Sequence, residues 1–191
     1  MARTLSPETH RAIEDATDVV LYDEGLHAAT VDAICARAGV GKPALYRHFG
    51  NRDTLVLDYL DRRRHRRLSE LDAAVARAEP SGSAPAMAVV DWIAEWIVDE
   101  AFRGCGFHRA LQQRPSGQAE VVETTRAFKD AVEARLRTHL STAGVADPDG
   151  TARHLFLLAE GALAAAAYRP SAAVAADLRT LARRVLGCSA D

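Results

Sequence analysis

Cysteine is scarce in this chain of 191 residues: there are three, Cys35, Cys105 and Cys188, and none sits in a CxxC or other metal-ligand spacing. So sparse and odd a set argues against a disulfide framework and against a metal site built on thiolates. Long apolar runs are missing too. The nearest candidate, Leu155 to Tyr168, is 14 residues long and contains Glu160, short of the ~20 residues that a membrane helix needs. The N-terminal stretch has no apolar core, so no signal peptide is expected. Catalytic signatures are also lacking: there is no GxSxG, HExxH or P-loop, and the seven His show no sensible ligand spacing. These absences point away from an enzyme and toward a cytosolic globular protein with no metal and no cofactor.

Enough apolar material is present for a sizeable core, at 48% of residues, and the 26% of charged residues supplies a solvated surface. The formal net charge of −2 hides a division. Residues 1–36 hold two Arg against seven Asp or Glu, and residues 68–191 hold 13 basic against 16 acidic side chains. Between them, residues 37–67 hold nine Lys or Arg against Asp53, Asp58 and Asp61. A short positive segment can bind a phosphate backbone whatever the sign of the whole molecule.

Helical signals dominate, and the expected fold is all-α with about nine helices. Ser6-Pro7-Glu8 reads as a helix start, followed by Ile13, Ala16, Val19 and Val20 on one face. Thr30 caps a short helix bearing Val31, Ile34 and Cys35, and Gly39 breaks it. A second short helix starts near Lys42, with Pro43 in the first turn, where an N–H is dispensable. Asn51 caps a longer helix, Arg52 to Ala78. Further helices are expected over Met87 to Phe102, through Gln113, to a stop at Gly144, from Asp147-Pro148, and after Pro170; Pro115-Ser116-Gly117 is a break. The division expected is residues 1–67 and 68–191.

Two short helices joined by a glycine-containing turn, over residues 30–49, have the layout of a helix-turn-helix. Ile34, Ala38, Val40 and Leu45 can pack the pair together. Lys42, Pro43 and Ala44 then occupy the exposed first turn of the second helix, where Lys42 can donate to guanine and Pro43 or Ala44 can touch a thymine methyl. Tyr46, Arg47, His48 and Arg52 carry donors suited to phosphate oxygens. Asp32 reads as a helix-dipole acid.

The stretch resembles the tetracycline-repressor (TetR) family of bacterial regulators, through Thr30, Ile34, Ala38, Gly39, Val40, Leu45, Tyr46, His48 and Phe49, with Glu24-Gly25-Leu26 ahead of them. The likeness spans residues 7–60. Cys35 stands where the family has a small Ala, and Arg52 where it has Lys. The resemblance implies that Lys42, Pro43 and Ala44 face bases and that Thr30, Tyr46, His48 and Arg52 hold phosphates. It also implies a homodimer on an inverted-repeat duplex and a C-terminal regulatory domain that binds a small-molecule inducer. Phe102 to Phe107 is similar to an RGCPF motif of one branch, although Arg109, Leu111 and Gln113 depart from that branch's continuation.

For the inducer pocket the candidates are Trp92, Trp96, Phe107, His108, Arg109, Gln112 and Phe128, of which the two Trp also suit a core stripe. The dimer interface is expected on the last two helices, at Leu155, Leu158, Ala162, Ala165, Val174, Leu178, Leu181 and Val185. The run Arg62 to Arg67 has two readings, a grip on DNA flanks and a solvated helix surface. Cys105 reads as a buried small hydrophobe or as a reactive thiol. The function expected is therefore a sequence-specific, homodimeric transcriptional repressor. The alternatives are an activator, a Cys105-based redox sensor, or a carrier or enzyme that keeps the scaffold without binding DNA.

Overall fold

The computed structural model describes residues 6–113 and 119–187, so the break expected at residues 115–117 and Cys188 lie outside the described residues. Every regular element among the described residues is a helix: α1 (Pro7–Asp23), α2 (Gly25–Ala28), α3 (Val31–Ala38), α4 (Lys42–Phe49), α5 (Arg52–Ala76), α6 (Ala84–Val98), α7 (Gly106–Gln113), α8 (Ala119–Thr142), α9 (Pro148–Ala165) and α10 (Ser171–Val185). None of them is long and apolar enough to cross a membrane.

The caps explain where the helices begin. Ser6 accepts from the Thr9 N–H at 3.2 Å, Thr30 from Ala33 at 3.1 Å, Asn51 from Thr54 at 2.8 Å and Asp147 from Gly150 at 2.9 Å, each satisfying a first-turn donor that has no intrahelical partner. The single turn α2 is not among the expected elements, because four residues are too few to show a period. Helix α6 ends at Val98 rather than at Phe102: Asp99 is extended, and its carboxylate accepts from the Ala101 N–H at 2.8 Å, which turns the chain away.

The chain forms two compact units. One comprises Met1–Arg64 with Gly106–Thr125, and the other His65–Cys105 with Arg126–Asp191. The first unit thus takes α7 and the start of α8 from beyond residue 67, while α5 runs through both. In the first unit α1 packs on α3, and α2 on α7, around Ile13, Leu45, Leu55, Leu60 and Phe107, all fully buried. In the second, α6 packs on α10 and α9, around Val89, Ile97, Leu155, Val174 and Leu178. Arg179 of α10 holds Asp91 of α6 at 2.7 Å.

Most of the Arg62–Arg67 run is structural, which is neither of the readings given above. Within the first unit, Arg62 reaches Asp58 and Asp18 at 2.8 Å and Glu14 at 3.3 Å, tying α5 to α1. Burial works against its charge, but Asp58, Asp18 and Glu14 outweigh burial and raise its pKa. Arg63 is buried with its guanidinium 4.0 Å from the Tyr22 ring centroid, Arg64 pairs with Asp61 at 2.7 Å, and His65 and Arg66 are exposed. Replacing Arg62 with Leu leaves three half-buried carboxylates facing one another. The expected outcome is a loss of about 2 kcal/mol of stability in urea titrations, only partly restored by Lys, which lacks the planar fork.

Candidate nucleic-acid interface

The turn between α3 and α4 is closed by backbone bonds. Gly39 takes φ +66°, its N–H reaches the Ala36 carbonyl at 3.4 Å, and the Val40 N–H reaches Cys35 at 3.0 Å. This is a Schellman closure, which needs a left-handed residue at that position. The inner faces of the two helices are buried at Ile34, Cys35, Leu45 and Phe49. Burial pushes the Cys35 thiol up, with Asp32 adding to the rise and Lys42 opposing it, so Cys35 behaves as a small apolar group.

With Leu45 and Phe49 inward, the opposite face of α4 is left to solvent. Lys42, Pro43, Tyr46, Arg47 and His48 are exposed, Ala44 is half-buried, and Thr30 is exposed at the start of α3. The structure thus brings seven of the eight side chains of the expected reading surface onto α4 and the cap of α3. The His48 ring also packs edge-on against His10 and Phe49, with centroids 4.1 and 4.7 Å apart, which fixes its orientation while leaving it accessible.

Arg52, the eighth, is placed differently. Its guanidinium turns inward and donates to the backbone carbonyls of Leu26 and, at 3.3 Å, Ala29. These oxygens close the short helix α2, where carbonyls lack intrahelical partners and attract a cation. In this conformation Arg52 orients the head and does not offer its charge to a phosphate.

Asp32 has a role beyond the helix dipole. Its carboxylate lies 2.7 Å from the Lys42 ammonium, with both groups largely in solvent, and its hydrogen bond raises the Lys42 pKa. Lys42 therefore stays charged through the working pH range, held beside an acid.

The expected pocket residues separate into two groups. Trp92, Trp96 and Phe128 line one cavity in the second unit, together with Lys129, Phe156 and Glu160. Phe107, His108, Arg109 and Gln112 belong to the first unit and do not line that cavity: Phe107 is fully buried, Gln112 is exposed, and Arg109 donates to the Tyr22 carbonyl. The break at Gly104–Gly106 separates residues close in sequence into different units. Lys129 and Glu160 leave no local signal, because they pair across different helices.

The expected interface stripe divides as well. Leu155, Ala162, Val174 and Leu178 are buried within the chain itself, Leu158 and Ala165 are half-buried, and of this stripe only Leu181 and Val185 are exposed. Leu157 and Tyr168, at 66% and 75% exposure, are the larger apolar surfaces. Leu157, Gly161 and Ala164 recur every three or four residues along α9 and so share a face, and Tyr168 lies in the turn that follows.

Comparison with known proteins bears on these surfaces. Residues 13–59 match the family model of bacterial regulatory proteins of the tetR family. Over 47 residues the chain is 49% identical to the HTH-type transcriptional activator FasR of Mycolicibacterium smegmatis, a match covering 25% of this chain but only 22% of FasR. A TetR-family transcriptional regulator of Streptomyces coelicolor superposes with a TM-score of 0.86 at 28% identity, over 94% of this chain and 95% of that one. A regulator of the same type from Streptomyces avermitilis, 21% identical, shares the fold with a TM-score of 0.76 over 97% of this chain and all of its own.

Proposed function

We propose that this chain, whose residues 13–59 match the tetR family model and whose fold is that of a TetR-family transcriptional regulator, acts in the cytoplasm as a homodimeric repressor of an inverted-repeat operator, released by a small molecule. The observation that carries this reading is the solvent-facing side of α4, where Lys42 and Pro43 open the helix and Tyr46, Arg47 and His48 follow. Lys42, Pro43 and Ala44 read base edges in the major groove. Thr30, Tyr46, Arg47 and His48 hold phosphates and fix the register. Arg52 serves this surface by bracing α2.

One short helix reads too few base pairs for a unique site, so two copies must act on half-sites about 34 Å apart or at multiples of that spacing. Release follows from linkage: a ligand that favours an arrangement with misplaced heads weakens DNA binding by its differential affinity for the two arrangements. Helix α5, which is continuous through both units, is the element able to carry that change. FasR is named an activator, but its likeness covers 22% of its length and concerns the reading head, which sets where a protein binds and not the sign of regulation.

Selection of bound duplex from a random pool tests this. The expected product is an inverted repeat, bound with an affinity that falls with salt at a log–log slope of about −0.9 per phosphate neutralised. Recovery of random duplex, or of a single half-site, overturns the reading. A promoter fusion then settles the sign, with repression expected.

A further inference from the structure

Arg63 of α5 is 5% exposed, and an arginine keeps its charge wherever the chain puts it. Burying an ion is costly unless a counter-charge and hydrogen bonds answer it. Its neighbour Arg62 has three carboxylates for the purpose. Arg63 pairs with none among the described residues, and its Nε is shut away without a hydrogen-bond acceptor. The contact it makes is with the Tyr22 ring, whose centroid lies 4.0 Å from the guanidinium carbon. A cation over an aromatic face recovers only part of what burial costs.

The surroundings add to the imbalance. A Cβ at Gly106 would stand 2.9 Å from the Arg63 Nε and 3.3 Å from the Tyr59 hydroxyl. Gly106 opens α7, and a helical Cβ tilts toward the N-terminus. The guanidinium therefore lies at the positive end of that helix's dipole. Arg109, later in α7, brings a second guanidinium to 6.0 Å from the same Tyr22 ring while donating to the Tyr22 carbonyl. Two cations and a helix N-terminus thus meet around one tyrosine.

Arg63 spends its face on Tyr22, which leaves its planar edge for a partner in the same plane, the geometry of a guanidinium with an oxyanion. Of its three nitrogens only Nε is fully closed off without a partner, so the terminal pair is the edge a solute reaches. We propose that Arg63, at the N-terminus of α7, is a binding site for a small oxyanion, a phosphate or a carboxylate, seated on those terminal nitrogens. All of these residues belong to the first unit, and the proposal does not depend on ligand release of DNA.

The full chain is titrated with inorganic phosphate, acetate and chloride at one ionic strength, followed by thermal denaturation and calorimetry. Phosphate and acetate should raise the melting temperature with the logarithm of their concentration, and chloride, which cannot span the fork, should give the smaller rise. Arg63→Met, similar in length but uncharged, should lose the phosphate response. Arg63→Lys, which keeps the charge without the fork, should bind phosphate about tenfold more weakly. Gly106→Ala keeps Arg63 and sets a methyl group against its Nε. Gly106 is not in the left-handed region, so the helix start accepts alanine, and phosphate should again bind about tenfold more weakly. The exposed face of α4 also attracts phosphate, so the titration is repeated with Lys42→Ala and Tyr46→Ala together, where the response should persist.

An equal response in Arg63→Met, loss of the response in the α4 variant, or chloride matching phosphate overturns the proposal. So does an unchanged phosphate affinity in both Arg63→Lys and Gly106→Ala, or a chain that none of the three anions stabilises.

Discussion

A chain carrying Lys42→Ala and Tyr46→Ala should bind its selected duplex about a thousandfold more weakly than the unaltered protein, with an unchanged thermal transition. Each subunit loses a base-edge donor worth about 1–3 kcal/mol and a phosphate contact. Two subunits lose both, and about 4 kcal/mol in total is a thousandfold in affinity. The fold is spared because both side chains lie on the solvent face of α4. The Lys42–Asp32 pair adds a second effect. Removing Lys42 leaves the exposed Asp32 carboxylate without its cation, so it repels an incoming phosphate. Lys42→Ala alone should therefore cost more at low salt than Lys42→Ala with Asp32→Asn. Asp32→Asn alone should raise affinity several-fold for all duplexes, an effect that fades as salt screens the exposed charges. Unchanged affinity in the first double variant, measured by anisotropy, would remove the reading head from DNA recognition altogether.

The reading head was legible in the sequence because its determinants are local. Thr30 caps α3, Gly39 closes it, and Leu45 and Phe49 lie four residues apart on one buried face, all within 20 residues of chain. Each is a short-range rule of backbone sterics or periodicity. The helix starts at Ser6, Asn51 and Asp147 were legible for the same reason, as a side-chain acceptor beside unpaired N–H groups.

What periodicity does not supply is the identity of the partner. Val174, Leu178, Leu181 and Val185 form one stripe on paper. In the structure the first two are covered by the protein's own helices and the last two face outward, because a stripe wider than its neighbour is buried only in part. Arg52 reads as one more cation of a positive segment, and only the fold reveals the α2 carbonyls that draw it inward. Lys129 and Glu160 stand 31 residues apart on different helices, so nothing in either local sequence announces their pairing.

Leu157→Glu combined with Leu181→Glu should produce a subunit that sediments at its own mass of 20.6 kDa and melts as the unaltered chain does when both are dilute. At 66% and 41% exposure, these two side chains contribute little to the subunit's own core, so acidic replacements there separate assembly from folding. Gly161, on the same face of α9 as Leu157, has open space beyond its Cα, which lets a second helix approach closely. In a two-fold pair each substitution appears twice, which places four carboxylates in one interface. Burying unpaired carboxylates costs several kcal/mol, more than a modest helix–helix interface can offset. Operator binding should fall with assembly, because two linked heads gain about 10²–10⁴-fold over one through effective concentration. Affinity for an isolated half-site, in contrast, should be unchanged, since α3 and α4 are untouched. A variant that remains dimeric would move the interface elsewhere on the surface. One that becomes monomeric yet keeps full operator affinity would show that a single head suffices.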